Sequence, residues 1–170
     1  MRAKKAKQSS QELTVFLADT PLGHVILTFT PKGLAALEFA GEDSQVSLGS
    51  PPPAACDPVI EKVVNKLNDF FAGKVTDFSS LPLDLQGTPF QIKVWQELQR
   101  IPRGDKISYK ELARRVGSPQ ASRAVGQANA VNPIPIIIPC HRVIAADGSL
   151  GGYSSGLDKK RWLLKHEGAM

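Results

Sequence analysis

Near the start of the chain, apolar residues gather into three short stretches: LTVFLA over 13–18, HVILTF over 24–29 and GLAALEFA over 33–40. β-Branched and aromatic residues fill them, and turn-forming clusters separate them (Asp19-Thr20-Pro21-Leu22-Gly23, then Thr30-Pro31-Lys32-Gly33), so the pattern predicts consecutive strands. The Pro- and Ser-rich GEDSQVSLGSPPPAACD that follows is a loop. The period then changes. Val59, Ile60, Val63, Val64, Leu67, Phe70 and Phe71 recur at helical spacing behind Asp57 as cap and Pro58 at the first helical position, and Gly73 ends the run. FSSLPLDLQG, 78–87, reads as an extended connector between two halves.

The second half is mainly helical. Thr88-Pro89-Phe90-Gln91 combines a capping box with proline at the first helical position, and Phe90, Val94 and Leu98 share one face of a helix predicted to reach about Arg100. Ser108-Tyr109-Lys110-Glu111 is a second capping box, opening a short helix that stops at Gly117. Ser118-Pro119 is expected to cap and start another, to about Val131. Two short helices around a glycine-containing turn form a helix-turn-helix pattern, a hairpin that also occurs in proteins that touch no DNA. In the second of them Ala121, Ser122, Ala124, Gly126 and Ala128 leave little bulk. That suits close packing on a neighbouring helix as well as close approach to a DNA groove, with Arg123 as the projecting long side chain.

Composition narrows the setting. Of 170 residues, 42% are hydrophobic and 22% charged, ordinary for a globular chain. The opening MRAKKAKQSS reads as a solvated basic tail, and no apolar run follows it to make a secretory signal. No stretch is apolar for long enough to cross a bilayer, so a cytoplasmic protein without membrane association is expected. The formal charge of +5 leans toward polyanionic partners, a weak signal because part of the excess lies in the tail. Two cysteines, Cys56 and Cys140, and three dispersed histidines, 24, 141 and 166, make neither a disulfide framework nor a zinc spacing.

Chemistry concentrates in Asn132-Pro133-Ile134-Pro135-Ile136-Ile137-Ile138-Pro139-Cys140-His141-Arg142-Val143. A run of isoleucines predicts burial, the prolines forbid an ordinary central strand, and Asn132 before Pro133 should end the preceding helix in a turn. The expectation is a stiff, extended, buried segment that delivers Cys140 to a fixed place. A lone cysteine is most often inert. His141 beside it changes that, because an imidazole can take the thiol proton and then stabilise the thiolate. Sequence neighbours do not face each other in a helix or strand, so the pair needs an irregular turn or a bridging water. The residues alone leave open a thiol hydrolase, which would ignore DNA, and a winged-helix regulator, which would need no Cys140.

PCHRV at 139–143, preceded by NPIPIII and followed by GGYSSG at 151–156 and KRWLLKHEG at 160–168, resembles the O6-alkylguanine-DNA alkyltransferase family over the whole second half, from GTPF at 87. The first half fits by its strands-then-helix pattern alone. The resemblance implies an α/β fold: a small ribonuclease H-like α/β domain at 11–80, after the tail at 1–10, and a mainly helical winged-helix-like DNA-binding domain at 81–170. It implies DNA repair by irreversible, single-turnover transfer of an alkyl group from O6-alkylguanine, with O4-alkylthymine a further candidate, by minor-groove binding and base flipping. Cys140 would be the acceptor, His141 its base through a water, and Glu167 the group that orients His141. Asn132 would form the hinge beside the thiol. Tyr109 would press on a phosphate and help protonate the departing guanine. Arg123 would fill the vacated stack, with Ala121, Ser122 and Gly126 on the DNA-facing helix. Val143, Tyr153 and Ser154 would line the guanine pocket. The partner is double-stranded DNA carrying the lesion, no cofactor is implied, and the protein is expected to act as a monomer, nucleoid-associated in a prokaryote. Mammalian-type members hold zinc in the first domain; here that half offers His24 and Cys56, so no metal is expected. Relatives that sense lesions without reacting carry Trp in place of the acceptor cysteine, and Cys140 argues against that alternative.

Overall fold

The computed structural model describes residues 12–40 and 57–170; the tail at 1–10 and Cys56 lie outside the described residues. Strands β1 (Leu13–Thr20), β2 (Gly23–Thr30) and β3 (Gly33–Phe39) form an antiparallel sheet in the order β1-β2-β3. Val25, Leu27 and Phe29 alternate onto the buried face of β2, as the period of two requires. Helix α1 (Pro58–Phe71) adds Ile60, Val63, Leu67 and Phe70 to the same apolar cluster. The Asp57 carboxylate accepts from the Val59 N–H at 2.8 Å, the expected cap.

The connector after α1 is pinned to β3. Leu34 N donates to the Pro82 carbonyl at 3.0 Å and Asp84 N to the Leu34 carbonyl at 2.9 Å. Gly33 makes this approach possible: its φ is +141°, and a Cβ there would lie 2.3 Å from the Pro82 carbonyl oxygen.

In the second half, α2 (Pro89–Leu98) starts from the complete Thr88–Gln91 capping box. Helices α3 (Tyr109–Arg115) and α4 (Ser122–Ala130) follow, and short strands β4 (Ile107–Ser108) and β5 (Val143–Ile144) pair in parallel. Trp95 of α2, almost completely buried, donates through Nε1 to the Ala128 carbonyl of α4 at 2.9 Å. Helix α5 (Leu157–His166), which the hydrophobic pattern did not single out, closes the domain. The architecture is α/β, a small N-terminal sheet domain with a helical C-terminal one, as expected. One continuous apolar cluster runs through both. His166 stacks on Trp162 at 4.4 Å and meets the edge of Phe70 at 5.0 Å, while Leu37 N of β3 donates to the Pro133 carbonyl at 2.9 Å.

Three local expectations fail. Pro119 does not begin α4: Ala121 N donates to the Ser118 carbonyl at 2.8 Å, so 118–121 is a turn and the helix starts at Ser122 without a side-chain cap. The proline serves the turn, where its fixed φ is equally at home. Ser108 caps α3 as predicted, accepting from Glu111 N at 3.1 Å, yet Glu111 does not complete the box. Its carboxylate turns to Arg114 at 2.8 Å and Arg115 at 2.9 Å, charged partners that outcompete a backbone N–H. The segment after Asn132 is buried but not extended. Ile138 N donates to the Ile134 carbonyl at 2.9 Å, and Ile136 adopts φ +74°, a costly conformation for a β-branched residue. The prolines stiffen a compact turn, because that geometry buries four isoleucines without asking for sheet partners.

Gly33→Ala should destabilise the protein by about 2 kcal/mol or more, through a strained φ and a clash with backbone that cannot retreat. Denaturant unfolding is the check, with Lys32→Ala, on the exposed turn beside it, changing stability by less than about 0.5 kcal/mol.

Candidate functional site

The compact turn 132–139 ends in a 3-10 turn, Cys140–Arg142, in which all three residues are buried. Asn132 holds its two ends together: Nδ2 donates to the Ile138 carbonyl at 2.7 Å, and Oδ1 accepts from Ile134 N at 3.0 Å. The same amide lies against the Cys140 thiol, as does the Tyr153 hydroxyl. The expected irregular turn between Cys140 and His141 is present. In a 3-10 turn successive side chains diverge, and no direct hydrogen bond joins the two. His141 is fully buried and its Nδ1 has no protein partner.

Its other nitrogen, Nε2, lies 3.0 Å from Glu167 Oε2, bent off the best hydrogen-bonding line. Glu167 sits at the C-cap of α5, where the turn brings it back under the 3-10 turn. Arg142 grips its carboxylate with both prongs, Nε to Oε2 at 2.9 Å and Nη2 to Oε1 at 2.7 Å, and Nη1 donates to the Ile101 carbonyl. Burial would raise the Glu167 carboxyl, but hydrogen bonds from Arg142 and His141 outweigh it and hold the pKa at about 2. It is a permanent anion at neutral pH. Burial pushes the Cys140 thiol up, against the lowering pull of Asn132, Tyr153 and the charge of Lys160. Burial likewise pushes His141 down, with Glu167 opposing it. Thiol and imidazole are therefore both neutral at rest.

A cavity of about 310 Å³ is lined by Tyr109, Gly126, Asn129, Ala130, Gly152, Tyr153 and Ser154, and two of these touch Cys140, Tyr153 at the thiol and Asn129 at the carbonyl. Tyr109, at the start of α3, rests on two glycines: a Cβ on Gly126 would come within 3.9 Å of its ring and one on Gly151 within 3.3 Å. Gly151 also has φ +66°, so both its conformation and its closeness to Tyr109 call for glycine. Burial raises the Tyr109 hydroxyl above its ordinary pKa, which keeps the proton on it.

The structure thus brings together Cys140, His141, Glu167, Asn132, Tyr109, Tyr153 and Ser154. Arg123 stands apart on the solvent face of α4, exposed, with Ala121 and Ser122 at the helix start. It is not the only long side chain there, since Gln127 is exposed one turn on. Gly126 turns toward Tyr109 rather than outward. Val143 is completely buried in β5, does not line the cavity, and its carbonyl accepts from Lys160 at 2.6 Å.

Three residues escaped the sequence reading. Arg142 stood inside PCHRV, but nothing in the motif gave it a role beside Cys140 and His141. Lys160, fully buried, bonds the carbonyls of Val143, Leu150 and Gly152, and burial lowers its pKa to about 8. It fastens the 150–152 loop to β5; in KKRW nothing distinguishes it from half-buried Lys159 or exposed Arg161. Asn129 was hidden among small residues of α4, and its Nδ2 donates to the Cys140 carbonyl at 3.4 Å. Among the described residues no group of three or more His, Cys, Asp or Glu side chains could hold a metal ion, and no helix is long and apolar enough to cross a membrane.

Comparison with known proteins gives the family. The chain matches the family model of the 6-O-methylguanine DNA methyltransferase DNA-binding domain over residues 89–169, and that of the same family's ribonuclease-like domain over 14–85. A methylated-DNA–protein-cysteine methyltransferase of Salmonella typhimurium is 51% identical over 104 residues, and the match spans 61% of that protein's length and 61% of this chain. The protein of that name from Methanosarcina barkeri is 43% identical over 154 residues, covering 89% of this chain and 94% of the relative. Among solved structures, Mycobacterium tuberculosis OGT in complex with DNA superimposes with a TM-score of 0.77 at 40% identity, over 92% of each chain. With both halves matched and a relative aligned over nearly its whole length, the chain belongs to the 6-O-methylguanine DNA methyltransferase family.

Proposed function

We propose that this protein repairs DNA directly by moving an alkyl group from O6 of guanine onto Cys140, once per molecule. The observation that carries the reading is a buried thiol whose neighbour Tyr153 lines a cavity of about 310 Å³, followed in the chain by a neutral imidazole with a fixed anion behind it. The lesion lies inside the duplex, so the nucleotide must be extruded before any thiol can reach it. Arg123 on the exposed face of α4 fills the gap, and the small residues Ala121 and Ser122 let the helix approach the minor groove. The flipped base enters between Tyr109, Tyr153 and Ser154. The boundary between the sheet domain, 11–80, and the domain that grips DNA, 81–170, lies in the connector.

The thiol proton passes through a water to the unpaired Nδ1 of His141, and the charge of Glu167 stabilises the imidazolium that forms. The thiolate attacks the alkyl carbon, a C–S bond forms and the C–O6 bond breaks, and the guanine leaves with its electron pair. The Tyr109 hydroxyl neutralises that anion. No step needs a cofactor or a second protein. The thioether is stable, so the molecule is consumed. A monomer acting at the nucleoid suffices.

Incubation with duplex carrying labelled O6-methylguanine should plateau near one methyl per protein, on a peptide containing Cys140, and Cys140→Ala should bind DNA but take up none. Continued turnover past the plateau would overturn the reading. Glu167→Gln should slow transfer by about 10²-fold or more, since the imidazolium loses its counter-charge. It should also cost about 3–5 kcal/mol by stranding Arg142. The carboxyl is depressed from 4.5 to about 2 in the folded state, so its stabilising contribution is complete above 4.5 and lost as pH falls toward 2. The stability gap between native and variant, followed by denaturant unfolding, should therefore narrow below pH 4.5. Arg123→Ala should slow repair of duplex by about tenfold or more, because unstacking goes uncompensated, while reaction with free O6-benzylguanine stays within about twofold. Equal losses on both substrates would remove Arg123 from base extrusion.

A further inference from the structure

Asn129 is only 4% exposed, and its side-chain oxygen, Oδ1, has no hydrogen-bond partner. Its orientation is not arbitrary. Nδ2 donates to the Cys140 carbonyl at 3.4 Å, and flipping the amide would set two oxygens against each other. The residue is also part of the wall of the cavity, with Tyr109, Gly126, Gly152 and Tyr153, the last of which lies against the Cys140 thiol. An acceptor left without a donor in a buried site is costly, so each such group in a folded protein calls for an explanation. Here the explanation is a ligand that brings a donor.

O6-alkylation removes the proton from guanine N1. The base edge then presents N1, N3 and N7 as acceptors, and its one remaining donor is the 2-amino group. We infer that Asn129 is a specificity-determining residue whose Oδ1 accepts a hydrogen bond from the 2-amino group of the extruded O6-alkylguanine. This rests on the cavity being the guanine site. A purine without that amino group leaves Oδ1 unpaired in the bound state, and such a missing bond is what discriminates strongly in polar pockets. The link from Asn129 to the Cys140 backbone has a second effect: a base seated on Oδ1 is registered against the residue that carries the nucleophile.

The test compares single-turnover rate constants on duplexes of one sequence carrying either O6-methylguanine or O6-methylhypoxanthine, which lacks the 2-amino group. Native protein should react with the first about tenfold faster or more. Asn129→Leu, which keeps the branched shape and removes the acceptor, should lose most of that preference, bringing the ratio of the two rate constants to within about threefold of one. Asn129→Ala, which only removes atoms, serves if the leucine variant does not fold, and thermal unfolding shows which variants are intact. Two results would overturn the assignment: no preference in the native protein, or an undiminished preference in the folded variant, as equal slowing on both substrates would give. Failure of the native protein to move methyl from either duplex to Cys140 would instead sink the proposed function, and is read separately in the same assay.

Discussion

The Glu167 carboxylate, buried under the 3-10 turn, is the constraint on which the rest of the site depends. An anion in that position is tolerable only if its oxygens are saturated, and Arg142 does this with a two-pronged grip at 2.9 and 2.7 Å. The guanidinium in turn needs its remaining N–H groups satisfied, and the Ile101 carbonyl just beyond α2 supplies one acceptor. The end of α5, the turn bearing Cys140 and the exit of α2 are thereby locked in one network. His141 is inserted into it with Nε2 at the carboxylate and Nδ1 without a protein partner. A network of this kind is worth little as net stability against an apolar alternative, but it is strongly destabilising once half-broken. That asymmetry is what fixes the imidazole.

Placement of the thiol comes from a different device. The turn 132–139 is held across its ends by the two hydrogen bonds of Asn132, and it carries strain at Ile136, whose φ is +74°. Strain persists where surroundings over-determine it. Here the surroundings are an apolar cluster that reaches from the sheet to α5, and a hydrogen bond from Leu37 of β3 to the Pro133 carbonyl. The N-terminal sheet, remote from the chemistry, thus helps hold the reactive turn from behind.

These two devices were legible in the sequence to different degrees. The apolar periods located β1 to β3 and α1, and the caps Asp57, Thr88 and Ser108 marked helix starts, because caps act within four residues. PCHRV marked the reactive turn. Its shape was not legible: the isoleucines said buried and the prolines said stiff, and both are as true of a compact turn as of an extended one. Pro119 misled for a related reason, since a fixed φ suits a turn as well as a first helical turn. Arg142, Lys160 and Asn129 could not be found from local pattern at all. Each does its work through atoms distant in the chain, Arg142 at Ile101 and Glu167, Lys160 at Val143 and Leu150. Periodicity carries no information on such pairs, and a buried lysine is spelled like an exposed one.

If each molecule is used once, as proposed, the pKa directions explain how it can wait. An exposed, low-pKa thiolate would be spent on any passing electrophile or oxidant. Burial here holds Cys140 as a thiol and His141 as a neutral imidazole, so the nucleophile is absent at rest. The means to create it are nonetheless in place, in the form of an anion at Glu167 that is already paid for by folding and a Tyr153 hydroxyl and Lys160 ammonium close to the sulfur. In the proposed function, the extruded base brings the alkyl carbon to the sulfur. Proton transfer and attack then become productive together. Reactivity is conditional on occupancy, and it comes from the same burial that makes the isolated thiol a poor acid.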